Sequence, residues 1–500
     1  MKKIMIIFSF IVGLSSAQQQ VDVVWPTLAN SPWPMVKHDP QFTGRSPYKG
    51  PQSATVIWFL DLAYGIYSGP VIGEDKNLYF GSYFYSADNF YCYSNDGDFI
   101  WDYSSGRSLP PASGILIDSS NTIYFGSSDK YFYAINADGS LKWEYQTEHF
   151  FGPTLMNIDL QGNLYSTNNS GQLFSFNSSG NLNWSVTYES GFNQRSPVLS
   201  TDGNTIYIAG KDSNLFALNL NGSLKWTFKC SKIQTAPIVD SYDNIYFIDQ
   251  YSLFSIYPNS EIRWEFSDFQ FGSYSIPAIN YDGNIYAIVG DTVAPYNKLL
   301  VSIDFDGEYL WKYIFNDEEN DEFWQPLICD SEGTVYVGST LGYNYYAISS
   351  NGSLKWKLPL TSPIQQIDNT GAISDNGTLF LGTHYTTLLQ HQWRTLMAIR
   401  DTVTSVENEK KGLINYQLEQ NYPNPFNSTT NIKYTIPQSG RVTVIVYDIM
   451  GRVVALLLDR YQDAGSYDVI FQPKDFASGI YFYTLTSGNF TATKKLILLK

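Results

Sequence analysis

The run AINADGSLKW, Ala134 to Trp143, decides how this chain folds. It returns as ALNLNGSLKW ending at Trp226 and as AISSNGSLKW ending at Trp356, with looser copies ending at Trp101, Trp184, Trp264 and Trp311. Each copy reads as a hairpin. An alternating strand such as Tyr131 to Ile135 meets an Asp-Gly or Asn-Gly turn, and a second strand carries a Trp toward a buried face. Gly, Asn and Asp suit such turns because they tolerate the positive φ that tight hairpins demand.

A second kind of strand precedes each hairpin, centred on Tyr79, Tyr124, Tyr165, Tyr207, Tyr246, Tyr286, Tyr336 and Phe380. Upstream of each lies a short apolar strand, such as GPVI at 69–72, SPVLS at 196–200 and APIVD at 236–240. The Trp-to-Trp period is about 42 residues, within the range of four-stranded propeller blades. Residues 54–60, ATVIWFL, have the Trp-strand pattern with no hairpin half before them. The eighth repeat, 371–400, ends at LMAIR with no Trp strand after it. These defects are complementary. The expectation is an all-β, eight-bladed β-propeller over 54–401, in which the N-terminal Trp58 strand joins the eighth repeat and removes the free edges of an open sheet.

Composition agrees. With 43% hydrophobic and 16% aromatic residues in 500, the chain can supply large cores, and Tyr and Phe interleaved with Gly, Asn, Asp and Ser belong to strands and turns. The net charge of −16 is uneven: residues 18–401 carry −20 and residues 416–500 carry +2. An acidic body argues against nucleic acid and anionic membrane surfaces as partners. Cys92, Cys230 and Cys329 lie far apart without CxxC spacing, which favours three free structural thiols over a metal site.

Residues 1–17 have Lys2 and Lys3, a short apolar run and a Ser-Ser-Ala exit, the pattern of a secretory signal peptide cleaved after Ala17. No segment reaches membrane-spanning length. Residues 18–53, rich in Pro and Gly, read as an irregular segment packed on the propeller and anchored by Trp33 and Met35; His38 and Asp39 are assigned a structural role. Residues 402–415 read as a linker, and 416–500 as a small Ig-like β-sandwich with regular strand spacing.

Two resemblances follow from these motifs. The AINADGSLKW-type runs and IYFGS-type strands make residues 31–401 similar to the PQQ-like propeller repeat proteins, a group that includes quinoprotein dehydrogenases and BamB-like assembly lipoproteins. The quinone-dependent members imply a pair of adjacent cysteines and a calcium site; this chain has neither motif, so no cofactor is expected. Residues 416–500 resemble the type A C-terminal sorting domain of type IX secretion. The matching stretches are LEQNYPNPFNSTTNIKYTIP (418–437), GRVTVIVYDIMGRVV (440–454), DAGSYDVIF (463–471) and ASGIYFYTLTSGNFTATKKLILLK (477–500), with Ser428 where the family often has Pro. That resemblance implies export across the outer membrane, to the cell surface or beyond, with the type IX secretion machinery as partner.

No catalytic or metal-ligating constellation emerges. Four histidines, no GxSxG and no HExxH leave no nucleophile and base in register, and the DxDG run at Asp304–Gly307 coincides with a repeat turn. The segments before each blade's first strand should gather at the mouth of the central channel. There Tyr67, Phe151, Arg195, Gln234, Tyr274, Trp324 and Gln366 combine aromatic faces, planar amides and a guanidinium, suited to a glycan or protein ligand. The expectation is a monomeric, non-catalytic binding or scaffold module. The alternative is an extracellular enzyme, a quinone-dependent oxidoreductase or a hydrolase, with its site assembled across blades.

Overall fold

The computed structural model describes residues 18–499 except 61, 63–64, 84–88, 108–112, 153, 189–190, 193–195, 212, 270–274, 292–296, 316–321, 324, 341–343, 361–364, 367–370, 386–394, 402–416, 419–420, 422, 437–439, 463–464, 474–475 and 488–489. The expected signal segment, 1–17, and linker, 402–415, lie outside the described residues. The chain divides into two compact units, Met1–Thr402 and Val403–Lys500.

Among its described residues the first unit holds eight four-stranded antiparallel sheets. Seven are built from four consecutive strands, such as Leu116–Ile117, Ile123–Gly126, Tyr131–Ile135 and Leu141–Gln146 in sheet 2. Sheet 8 takes Ala372–Ile373, Leu379–Gly382 and Leu396–Ile399 from the end of the unit and borrows Val56–Leu60 from its beginning. Trp58 pairs with Ala398. The first strand of sheet 1, Gly65–Ile72, then lies against sheet 8, and the Ile66 amide donates to the Thr383 carbonyl at 3.0 Å.

One repeated contact joins each sheet to the next. The indole N–H of each Trp in the outer strands donates to a carbonyl in the following hairpin turn, at 2.8–3.2 Å, in the pairs Trp58–Asn95, Trp101–Ala137, Trp143–Ser178, Trp184–Leu220, Trp226–Pro258, Trp264–Phe305, Trp311–Ser350 and Trp356–Pro51. The last pair returns to the N-terminal segment. The turn glycine is required twice over: Gly139 has φ 85°, and a Cβ there would stand 2.8 Å from the Trp101 ring. One turn manages without it, with Ser260 at φ 70°.

The indoles are not carried to a buried face as expected. Trp356 is buried, but the other seven are half-exposed. The outer strand is the rim of its sheet, so the ring is covered on one side only, by the neighbouring turn. The Lys of the SLKW motif is structural too: Lys142, Lys225 and Lys355 donate to Thr122, Thr205 and Thr334 hydroxyls at 2.6–2.8 Å.

Four of the buried tyrosines of the second strands are anchored by an Asp six residues earlier, while Tyr79 uses Asp75 and Tyr286 accepts from Asn280. Tyr124, Tyr165, Tyr246 and Tyr336 donate to Asp118, Asp159, Asp240 and Asp330 at 2.7–3.0 Å. The other carboxylate oxygen of each Asp accepts the backbone amides that close the turn between, as Asp118 does from Ser120 and Thr122. Burial, reinforced by that carboxylate, pushes the Tyr124 hydroxyl far up, so it stays a neutral donor.

The second unit is a sandwich. A three-stranded sheet (Gln417–Leu418, Thr430–Ile436, Gly465–Phe471) faces a four-stranded one (Val453–Gln462, Gly440–Tyr447, Gly479–Ser487, Phe490–Leu498). Ile432, Tyr434, Val444, Tyr483 and Leu485 are buried between them.

Candidate functional site

The inner strand of each propeller sheet is two to eight residues long, buried, and has no further strand on its lumen side. Its outward backbone groups need partners that water cannot supply there. Residues 33–46 supply them for sheets 1 to 7, numbered in chain order and visited in that order. The Trp33 carbonyl accepts from Ile72 of sheet 1 at 2.8 Å, and Pro34 and Val36 bond Ile117 and Ile115 of sheet 2 at 2.9 and 3.2 Å. The Pro40 carbonyl takes the Asn157 side-chain amide of sheet 3 at 2.7 Å and the Leu199 amide of sheet 4 at 3.1 Å. Gln41, Thr43 and Gly44 then accept from Val239, Ile279 and Cys329 of sheets 5, 6 and 7 at 2.8–3.1 Å.

This strap lines the lumen from within. Trp33 and Met35, expected as anchors, are 0% and 1% exposed, and Phe42 is also fully enclosed. Three left-handed residues, Lys37, His38 and Phe42, bend it around the circuit. Gly44 has φ 65° and lies so close to the Leu327 carbonyl and Lys37 Nζ that a Cβ would stand 2.5 Å from each.

Lys37 and Arg45 are buried basic residues that sequence reasoning missed. Lys37 Nζ donates to the Pro277 and Leu327 carbonyls at 2.6 and 2.7 Å. Burial lowers its pKa to about 7, against opposing pulls from Cys329 and Asp39. Arg45 reaches the Asp22 carboxylate at 3.1 Å and lies over the Tyr281 ring at 4.4 Å. No repeat or motif flags either residue; both sit in a Pro/Gly-rich stretch whose path is set by the sheets around it.

His38 and Asp39 hold the bend. Asp39 accepts from the Thr43 amide at 3.0 Å and from the Thr43 hydroxyl, and lies 3.4 Å from His38 Nδ1. Burial alone would raise the Asp39 carboxyl, but the bonds from His38 and Thr43 outweigh it and hold the carboxyl below its usual range. Beside it, Asp39, Gln41, Thr43, Arg45 and Asp240 line a small polar cleft.

Of the seven residues expected at the mouth, the structure describes two side chains. Phe151 is fully buried, its ring 5.5 Å from Phe132 of sheet 2 and 6.2 Å from Phe174 of sheet 3, so it wedges two blades apart. Gln234 is 9% exposed, with its amide N–H on the Ile248 carbonyl at 2.8 Å and its side-chain oxygen without a partner. Tyr67 and Gln366 are placed in strands Gly65–Ile72 and Gln365–Gln366, but their side chains lie outside the described residues, as do Arg195, Tyr274 and Trp324 entirely.

Among the described residues no group of three His, Cys, Asp or Glu side chains stands ready for a metal ion. None of the three cysteines is in a disulfide, and burial pushes the Cys92 and Cys329 thiols up to about 12, keeping both protonated and unreactive. No helix in the described residues is long and apolar enough to cross a membrane.

With this geometry in view, comparison with known proteins is informative. Residues 50–250 match the family model of the outer membrane protein assembly factor BamB, and residues 420–499 match that of the secretion system C-terminal sorting domain. No curated protein matches the sequence. Among solved structures, BamB from Moraxella catarrhalis aligns with a TM-score of 0.51 at 16% identity, covering 69% of this chain and 98% of that one. The C-terminal WD40 domain of Sif2 aligns with a TM-score of 0.55 at 11% identity, covering 71% of this chain and 99% of that one. Identities this low speak for fold alone. The sorting domain supports export through type IX secretion to the cell surface or the extracellular space. The chain is thus similar to BamB-like PQQ repeat propellers in its first unit and to secretion sorting domains in its second, the two parts of a secreted propeller protein.

Proposed function

We propose that the exported chain is a non-catalytic binding or scaffold module that takes a glycan or protein ligand at the mouth of its lumen. The observation that carries this reading is the strap. Trp33, Met35, Lys37 and Phe42 occupy the space along the inner strands with the chain's own side chains, so a ligand is left the rim of the lumen. In support, Gln234, one of the residues expected at that rim, has a buried side-chain oxygen with no partner among the described residues, and Phe150 is 41% exposed beside the buried Phe151. A ligand N–H or O–H that reached Gln234 would satisfy a group that is otherwise left bare. The remaining expected residues belong to the same proposal through their places in the chain, Tyr67 within the inner strand Gly65–Ile72 and Arg195, Tyr274, Trp324 and Gln366 ahead of the inner strands that follow them.

The test is a thermal-shift screen of the purified full chain against a glycan panel, peptides, and quinone with calcium, repeated in Gln234→Ala, Arg195→Ala and Trp324→Ala. A glycan or peptide shift lost in these variants supports the mouth. A shift with quinone and calcium alone overturns the reading in favour of an oxidoreductase.

A further inference from the structure

The four-stranded sheet of the second unit has two edges, and they are treated differently. On the edge strand Phe490–Leu498, the stretch from Lys495 onward is closed by the turn that precedes the first long strand. Phe426 donates its amide to the Ile497 carbonyl and accepts from Leu499, both at 2.9 Å. The Asn424 side chain accepts from the Ile497 amide at 2.9 Å and donates to the Lys495 carbonyl at 3.2 Å.

The opposite edge, Val453–Gln462, pairs only with Gly440–Tyr447. Among the described residues no backbone hydrogen bond leaves its outer side. It begins with six consecutive apolar residues, Val453 to Leu458, of which Val453 and Leu456 are 60% and 59% exposed. The turn before it is braced. Asp448 accepts the amides of Met450 and Arg452 at 2.9 and 3.0 Å and pairs with the Arg452 guanidinium, which lifts Ile449 and Met450 into solvent at 71% and 74% exposure.

A long, apolar, unpaired edge invites another strand, and proteins usually blunt such edges with charge. Several rim strands of the propeller follow that rule: LKWEYQ, LKWTFK and IRWEF each place a charge before the Trp and another after it, whereas VIWFL and LNWSV carry none. The edge at Val453 carries no charge until Asp459 and Arg460, although its register shifts twice, between Val453 and Ala455 and between Leu456 and Leu458. Asp459 is held by Arg441 at 2.8 and 3.0 Å, while Arg460 is exposed and makes no ion pair among the described residues.

We propose that Val453–Leu458 is a strand-addition site that receives an extended segment of an export-machinery protein, apolar at alternate positions and bearing a carboxylate opposite Arg460. Backbone bonds along the edge supply affinity, Val453 and Leu456 select apolar side chains, and Arg460 fixes register by charge. This rests on the reading of residues 420–499 as a sorting domain. It adds which surface of that domain is read.

The experiment uses the full chain in a host that carries the secretion system. Surface display is measured by protease shaving for V453K/L456K, for Arg460→Glu, and for Ile470→Lys, an equally exposed residue of the other sheet at 61%. The expected result is a drop of about tenfold in surface display for V453K/L456K and a smaller drop for Arg460→Glu, with Ile470→Lys unchanged. Melting of the purified variants separates this from misfolding; a variant that melts early is replaced by Leu456→Lys alone. Wild-type display of the edge variants overturns the proposal. So does a wild-type chain that sediments as a dimer split by Leu456→Lys, since a second copy then covers the edge. A chain truncated before residue 416 separates the two readings. If it is still displayed, the sorting assignment fails; if it is retained while the edge variants are displayed, only the strand-addition site fails.

Discussion

The lumen edge and the rim edge of the same propeller sheets present the same chemical problem, a row of backbone groups with no next strand, and meet it by opposite means. At the lumen, inner strands such as Leu116–Ile117 and Ile238–Val239 are buried, and residues 33–46 pair with them one after another. At the rim, strands such as Leu141–Gln146 face water and carry Lys142 and Glu144. The difference teaches where covalent chain is needed. A buried amide or carbonyl must be paired within the protein, whereas an exposed one is satisfied by solvent and needs only protection from another strand.

The comparison can be broken most severely at the strap. Trp33→Ala should destabilise the propeller by about 4 kcal/mol in chemical denaturation, because a fully enclosed indole leaves a cavity. A loss near that of a surface substitution would show that the strap is an accessory to the ring.

The next test is electrostatic. Lys37 is fully buried, and its pKa falls from the ordinary 10.5 to about 7 on folding. Between those values the folded chain holds fewer protons than the unfolded one, so stability should climb as pH rises from about 7 toward 10.5. It should be lost as pH falls through about 7 and level off below. The span is roughly 5 kcal/mol, an order-of-magnitude figure. Lys37→Met should flatten this slope in denaturation series at pH 6 to 10; an unchanged slope would assign the titration elsewhere.

The smallest effects belong to the rim. Trp143→Phe removes one half-exposed bond to Ser178 and should cost about 1 kcal/mol. Leu141→Ser, at a residue 43% exposed, should stay within about 0.5 kcal/mol. If Leu141→Ser costs as much as Trp143→Phe, the rim is packed more closely than its exposure indicates.

Much of the fold was legible because its signals are local. Asx-Gly turns, a Trp about every 42 residues and a surplus Trp strand at one end are features of neighbouring residues, and they were enough to pair Val56–Leu60 with the last repeat. The burial of the indoles was not legible: the same alternation serves a strand with sheet on both sides and a rim strand with a turn on one. At the mouth, Phe151 reads equally as a ligand platform and as a wedge, and only its contacts with Phe132 and Phe174 distinguish them. The strap was legible as irregular and anchored, from its Pro, Gly and Trp33, but its circuit was not, since it is guided by sheets up to some three hundred residues away, as in the Gly44–Cys329 bond.

The sequence by itself determined the repeat, the closure of the ring and the export tail, because hydrophobic period, turn chemistry and a long linear motif are all written in consecutive residues. Tertiary structure alone decided that residues 33–46 follow the inner strands, that Lys37 and Arg45 are buried, and that one edge of the tail sheet is closed from Lys495 onward while the other has no backbone partner among the described residues. Those outcomes depend on which distant backbone groups lack partners, and that is known only once every sheet is in place.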